Sequence, residues 1–202
     1  MSDSSLPPPR IEPRAPPYDP DLEALLQRIT PPGAPSVLAL FRTLAHHPVL
    51  AERMTGWGGF LLGRKATLTL RDREIVIGRV CARCGAEYEW GVHVAAFAEA
   101  AGLTPEQNTA IADSGAALRQ AQGDRDSPLT ARDRLLTRMV DELHDSGTVS
   151  DALWPQLAAL WSTQQLLELL MLAGWYHAIA YVCNAARVPL EPWAPRWQRG
   201  TV

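Results

Sequence analysis

Apolar residues recur at helical spacing along most of the chain. In the first such segment, Leu22, Leu25, Leu26 and Ile29 lie three or four positions apart, which places them on one face of a helix. Prolines and a glycine at positions 31–33 end this segment. No alternating strand pattern of useful length competes with the helical spacing further along. The pattern therefore predicts an all-α protein.

Breakers and N-terminal signals set the bounds of the next two predicted helices. The second helix is expected from Pro35 to His46. Pro48 suits the first turn of a third helix, because the amide hydrogen that proline lacks would have no partner there. We expect the glycines at positions 56, 58 and 59 to end that third helix.

The middle of the chain carries further capping signals. Thr69 is expected to cap a helix from Leu70 to about Cys84, its hydroxyl accepting a hydrogen bond from the amide of Asp72. Another helix is predicted from about Ala86 to Ala101, where a glycine follows. Thr104–Gln107 has a cap, a proline at the first helical position and a capping-box glutamine in order, which predicts one more short helix.

The second half of the chain resembles the first at one point. Residues 115–128 are polar and contain glycine, so they predict an internal linker. Beyond it, Thr130–Arg134 repeats the pattern of Thr69–Arg73, which suggests a diverged internal duplication of a helical unit. The last helix, through Ala186, is apolar nearly all round, as expected for a helix buried in a core or an oligomer interface.

Proline content divides the chain into an arm and one domain. Seven of the 17 prolines fall within the first 20 residues, and a chain so rich in proline cannot form regular structure alone. We therefore assign residues 1–19 to an arm, which either lies over a neighbouring subunit or stays mobile. Residues 20–202 are long enough for a single helical domain.

Charge and composition exclude several classes of partner. With 19 basic and 22 acidic residues the net charge is −3, so neither a nucleic acid nor an anionic membrane is an expected partner. We see no uninterrupted apolar stretch of the roughly 20 residues that a membrane span needs. The first residues do not resemble a secretory signal, and three cysteines do not make a disulfide framework. These observations predict a soluble, cytoplasmic protein.

The segment from Ala86 to His93 carries the candidate chemistry. Glu89 and His93 are four residues apart and project from the same helical face, with Ala86 one turn before them leaving space. An imidazole held by a buried carboxylate makes a proton shuttle suited to neutral pH. Tyr88 and Trp90 are expected to line the pocket and exclude water. The structural alternative is an ordinary solvated Glu–His pair on a helix surface.

A family resemblance adds to this interpretation. The order and spacing of Thr69–Ile77, which includes Glu74, then Glu87–Trp90 and His93, and finally Ala100–Thr104, resemble the core of the carboxymuconolactone decarboxylase family. The resemblance covers residues 66–112. It implies the all-α, AhpD-like helical bundle and a homo-oligomer, a dimer, trimer or hexamer, whose sites lie near subunit contacts.

The family implies two chemistries, and this chain departs from one of them. In the alkylhydroperoxidase branch a glutamate precedes a Cys-x-x-Cys pair. A histidine follows the second cysteine of that pair by four residues. Aligned on Glu74 and His93, this chain has Ala86 and Glu89 in place of the two cysteines. A carboxylate cannot replace a thiolate in attacking peroxide oxygen, but it can move protons. The resemblance therefore favours the decarboxylase branch.

A displaced Cys-x-x-Cys pair keeps the second chemistry open. Cys81 and Cys84 lie on the preceding helix, five residues before the family position, and could form a redox pair. We favour their role as packing residues, because the negative end of the helix dipole disfavours a thiolate there.

The sequence thus predicts an enzyme that performs acid–base chemistry on a small carboxylated lactone or carbonyl compound. His93 would be the acid or base, and Glu89 and Glu74 would orient and tune it. A thiol peroxidase using Cys81 and Cys84 is the alternative, and a non-catalytic binding protein is a second one. We expect no cofactor and no metal site: the ligands near His93 are too few, His144 is expected in solvent, and His177 is expected in the core.

Overall fold

The computed structural model describes residues 7–31, 34–113 and 127–197. Within these ranges the chain forms helices and no strand, which confirms the all-α prediction. In chain order the described helices are α1 (Pro20–Ile29), α2 (Ala39–Leu44), α3 (Pro48–Leu61), α4 (Leu70–Arg83), α5 (Glu87–Phe97), α6 (Pro105–Ala112), α7 (Ala131–Ser146), α8 (Trp154–Ala158) and α9 (Thr163–Ala186).

The predicted capping residues begin their helices as expected. The hydroxyl of Thr69 accepts from the amide of Asp72 at 3.0 Å, so α4 begins at Leu70. Thr104 and Gln107 complete a reciprocal capping box at the start of α6. The predicted linker at 115–128 falls almost wholly outside the described residues.

Helix α2 is shorter than the predicted Pro35–His46. It begins at Ala39 because side chains from distant parts of the chain bind the first free amides of the helix. The Glu191 carboxylate accepts from the Ala39 amide at 2.6 Å, and the Tyr88 hydroxyl accepts from the Leu40 amide at 3.0 Å. These tertiary contacts fix the helix start, and local sequence spacing does not reveal them.

Helix α3 continues through the glycines that were expected to end it. It runs to Leu61, and the three glycines lie inside its second half. Gly58 packs against the indole of Trp175 on α9 so closely that a Cβ there would lie 2.9 Å from a ring carbon. The glycine therefore permits close packing of two helices and does not break one.

Helix α5 is also shorter than predicted and ends at Phe97. Turns follow, closed by a hydrogen bond of 2.9 Å from the Leu103 amide to the Ala98 carbonyl. Gly102 adopts the left-handed conformation, with φ of 64°, that this closure requires. Gly102 thus closes the turns that follow the helix and lies five residues after its last residue.

Helix α4 lies at the centre of the fold and packs against α5, α6, α7 and α9. Its contact with α7 joins the two similar segments by reciprocal ion pairs. Arg71 binds Asp133 at 2.7 Å, and Arg132 binds Asp72 at 2.7 Å. Each copy of the Thr-x-Arg-Asp pattern thus supplies the arginine that pairs with the aspartate of the other copy.

The described arm and the C-terminal tail both lie against the chain's own helices. In the arm, the Arg10 amide donates to the Ala186 carbonyl at 2.8 Å. In the tail, Trp197 stacks on Trp90 of α5 with ring centroids 5.7 Å apart. The tail therefore closes over the helix that carries Glu89 and His93.

By length and composition alone, α9 is apolar enough to cross a membrane. More than half of its most apolar stretch is buried inside the described structure, as in the core helix of a soluble protein. The remaining face carries an exposed, largely apolar row at alternating spacings of four and three residues, which we call the α9 stripe: Leu167, Met171, Gly174, Ala178 and Tyr181.

Candidate functional site

His93 lies where α4, α5 and α9 meet. Its Nδ1 atom is 2.7 Å from an oxygen of Glu74 on α4. Its Nε2 atom is 2.9 Å from the hydroxyl of Tyr176 on α9 and 3.6 Å from Glu89, one turn earlier on α5. The structure thus brings together the three residues that the sequence singled out, Glu74, Glu89 and His93, and adds Tyr176.

The site is secluded from solvent. His93 is 7% exposed, and Glu74 and Glu89 are equally buried at 5% and 7%. The phenol ring of Tyr176 meets the imidazole edge-on, and Phe97 covers it from the same helix with ring centroids 5.2 Å apart. This burial is incompatible with the solvated surface pair that was the structural alternative.

The two carboxylates favour a protonated imidazole. Burial lowers the pKa of His93, but the charge and hydrogen bond of Glu74, together with Glu89, more than offset it and raise the pKa to about 9. His93 is therefore an imidazolium at neutral pH. Burial, followed by the negative charges of Glu89 and Glu74, raises the pKa of Tyr176 well above its usual value, so its hydroxyl keeps its proton.

Neighbouring side chains hold each carboxylate in place. The guanidinium of Arg73 lies 3.3 Å from the second oxygen of Glu74 and also donates to the Leu62 carbonyl at 2.7 Å. The second oxygen of Glu89 lies 3.9 Å from the thiol of Cys183, which can donate to it. These contacts fix the orientation of both acids around the ring.

Tyr176 is a site residue that sequence reasoning missed. It stands in the long apolar segment of α9, where tyrosine fits an ordinary core position, and it is separated from His93 by 83 residues. Burial of a hydroxyl in such a helix is the only local signal, since a buried hydroxyl needs a partner.

A small cavity adjoins the Glu74–His93 pair. It is lined by both residues, by Trp90, by the buried amide side chain of Asn108, and by apolar groups of α4, α5 and α6. The cavity has room for about one water molecule. Glu89 and Tyr176 are not among the lining residues, so they contact His93 on the side of the ring that faces away from the cavity.

Two residues expected in the pocket lie elsewhere. The Tyr88 hydroxyl donates to Glu191 at 2.8 Å and accepts from the Leu40 amide, which ties α5 to the C-terminal segment and to α2. Ala86 is fully buried at the start of α5. Neither lines the described cavity.

The cysteine pair lies at the C-terminal end of α4. Cys81 is fully buried and Cys84 is half-buried, and both thiols are free. Burial raises the pKa of both thiols, most strongly for Cys81, where the carboxylate of Glu89 adds to the effect. Neither environment favours the thiolate that attack on a peroxide requires.

Comparisons with known proteins agree with this architecture. Residues 48–126 match the model of the carboxymuconolactone decarboxylase family. The fold is similar to an uncharacterized peroxidase-related protein from Silicibacter sp. TM1040, with a TM-score of 0.76, 15% identity, and coverage of 95% of this chain and 96% of that one. It is also similar to an alkylhydroperoxidase AhpD core protein from Ralstonia eutropha JMP134, with a TM-score of 0.73, 15% identity, and coverage of 90% and 93%. No curated protein sequence matches the chain.

Proposed function

From the premise that this chain is an AhpD-like protein with a carboxymuconolactone decarboxylase segment, we propose that it is a decarboxylase-like enzyme of small carboxylated lactones, with His93 as its general acid. The observation that carries the proposal is the position of the imidazole: a buried ring lies between two carboxylates, and one of these, Glu74, lines a cavity with it.

The chemistry requires a proton donor at neutral pH. When a carboxylated lactone loses carbon dioxide, the electron pair of the broken carbon–carbon bond enters an extended enolate. A proton must then be added at a distant carbon. An imidazolium with a pKa near 9 keeps its proton until such a base appears, and afterwards it can recover a proton from solvent.

Each neighbour has a separate task in this proposal. Glu74 accepts from Nδ1 and faces the cavity, so it orients the ring, and its carboxyl group passes the Nδ1 proton on to the substrate. Glu89 and Tyr176 hold Nε2 from behind. Asn108 offers an amide donor to a carbonyl or carboxylate of the substrate in a lining that is otherwise largely apolar.

A ring-sized substrate needs more space than the cavity holds. Trp90 lines the cavity and also stacks on Trp197 of the tail. Movement of this tryptophan pair would enlarge the cavity without disturbing the ion pair. We therefore assign substrate entry to the side of α5 that the tail covers.

The peroxidase alternative has less support. The two cysteines of the displaced pair are buried to different degrees, and burial disfavours the thiolate in both. The names of the similar structures refer to peroxidases, but at 15% identity their likeness concerns the fold alone.

Carbon dioxide release from carboxymuconolactone tests the proposal. The native protein should turn this compound over, and His93→Gln should lower kcat/KM by at least about a hundredfold while its circular dichroism is unchanged. His46→Gln is the matched control, since His46 is an exposed histidine just after α2 whose ring contacts the Glu12 carbonyl of the arm. Lack of turnover by the native protein, or full activity of His93→Gln, contradicts the proposal.

The same preparations can test the alternative with an alkyl hydroperoxide. Peroxide reduction by the native protein that disappears in Cys84→Ser would favour the thiol peroxidase. No activity in either assay would favour a binding protein without turnover.

The assembly and compartment are also proposals. The exposed α9 stripe has the spacing of a helix–helix seam, and we propose that it packs against the same stripe of a second copy. Three free thiols suit the reducing cytoplasm.

A further inference from the structure

A second cluster of reactive side chains lies away from His93. Cys84 at the end of α4, His144 in the last turn of α7 and His177 in the middle of α9 come from three separate elements. One ligand atom from each lies within 4.8 Å of the others. His177, expected in the core, is only half-buried and faces His144.

The two imidazoles already have the spacing of metal ligands. Nδ1 of His144 lies 3.0 Å from Nε2 of His177. Two nitrogens bound at about 2.0–2.1 Å to one tetrahedral ion lie about 3.3 Å apart. The sulfur of Cys84 can reach such an ion by a movement of about 1 Å, given a Zn–S bond of about 2.3 Å.

Neighbouring groups orient the two ligands on α4 and α9. Nδ1 of His177 lies 3.4 Å from the Ala173 carbonyl, which favours a proton on Nδ1 and leaves the lone pair of Nε2 for a metal. The Cys84 carbonyl accepts from the Asn184 side chain at 2.7 Å, which holds the end of α4 against α9. Such outer contacts are typical of sites in which a metal binds without large rearrangement.

The local charge admits a divalent cation. Arg83 is the cation beside the cluster, and it forms ion pairs with both Asp141 and Asp145. Asp141 also forms an ion pair with Arg79, so the two arginines and the two aspartates balance one another. Binding of the ion releases the proton of the Cys84 thiol, and the resulting thiolate supplies the negative charge that favours a doubly charged ion.

The geometry points to a zinc site formed by Cys84, His144 and His177, with water as the fourth ligand. One sulfur and two imidazole nitrogens are a ligand set that suits Zn²⁺. The site is distinct from the proposed catalytic centre, because Cys84 follows Glu74 on α4 by ten residues, or about 15 Å along a helix axis. A bound ion joins the ends of α4 and α7 to α9, and Cys84 then has a ligand role that replaces a redox role.

Titration with Co²⁺, a spectroscopic substitute for Zn²⁺, tests this site. The protein, treated with a chelator and a thiol reductant, should bind one Co²⁺ per chain and show a thiolate-to-cobalt absorption band in the near ultraviolet. Zn²⁺ should displace the Co²⁺ and raise Tm by roughly 5–10 °C at a hundredfold excess over Kd.

Three variants and one control make the assignment specific. Cys84→Ala should abolish the charge-transfer band, and His144→Asn and His177→Asn should each weaken Co²⁺ binding by at least about tenfold. Cys81→Ala, which removes a buried thiol outside the cluster, should bind as the native chain does. His144 is exposed, so its replacement should leave the fold intact. Absence of the band, or Co²⁺ binding that survives Cys84→Ala unchanged, overturns the site.

Discussion

The hydroxyl of Tyr176 lies 2.9 Å from Nε2 of His93, on the opposite side of the ring from Glu74. This contact connects the last long helix to the pair of helices that carry the acids. Both ring nitrogens of a buried histidine therefore have polar partners, and the ring has one defined orientation.

Removal of the Tyr176 hydroxyl should affect turnover more than binding. Tyr176 does not line the cavity, so Tyr176→Phe should leave KM nearly unchanged. The ring of His93 loses a partner that fixes its position, and kcat should fall between roughly tenfold and a hundredfold. Steady-state kinetics with the lactone substrate measures both constants. An increase in KM at constant kcat would place Tyr176 in substrate binding instead.

The ionisation of His93 should make folding stability depend on pH. Its pKa is raised from 6.5 in the unfolded chain to about 9 in the folded protein, so protonation stabilises the fold. This contribution, about 3 kcal/mol at most, is fully present below pH 6.5 and is lost as the pH rises through 9. Urea unfolding at pH 6.5 and pH 9.5 should show a larger loss for the native chain than for His93→Gln. Equal losses would argue against the raised pKa.

Two glycines of α3 should respond to alanine in opposite ways. Gly59 has open space around a new Cβ, so Gly59→Ala should raise the free energy of unfolding by about 0.5–1 kcal/mol through helix propensity. Gly58→Ala would place its Cβ 2.9 Å from the Trp175 ring and should be destabilising by about 1–3 kcal/mol. Chemical denaturation of the two variants measures the contrast. A stabilised Gly58→Ala would show that α3 and α9 can separate at low cost.

The exposed α9 stripe should govern assembly. A glutamate at Leu167, one of its most exposed members at 60%, would place a charge in the apolar contact between copies. We expect Leu167→Glu to convert the native oligomer to a monomer in light scattering after gel filtration. Gln156→Glu, an exposed change on α8 and therefore outside the stripe, should leave the mass unchanged. A native chain that is already monomeric would contradict the proposed assembly.

The start of a helix is predictable from the sequence where the signal is local. Thr69 and Thr104 cap their helices through their own neighbours, so spacing alone located α4 and α6. The start of α2 at Ala39 depends on Glu191, which lies 152 residues away. In the sequence Gly58 resembles a helix breaker. Its packing role is visible only from its contact with Trp175 in the folded chain.

The candidate site was predictable only where its residues share a helix or a family pattern. Glu89 and His93 share a helix face, and the family resemblance added Glu74 from the preceding helix. Tyr176 and Asn108 come from helices whose position around His93 follows from tertiary packing. The cluster around Cys84 was hidden for the same reason, because its ligands belong to three elements that the sequence does not place together.

The proposed chemistry requires His93 to hold a proton at neutral pH, which Glu74 and Glu89 favour because they lie beside the ring. A ¹⁵N nuclear magnetic resonance titration of the imidazole measures this directly. We predict a ring with both nitrogens protonated at pH 7.5, a midpoint at about 9, and a lower midpoint in Glu74→Gln. A His93 ring that carries a single proton at pH 7.5 in the native chain would contradict the central claim.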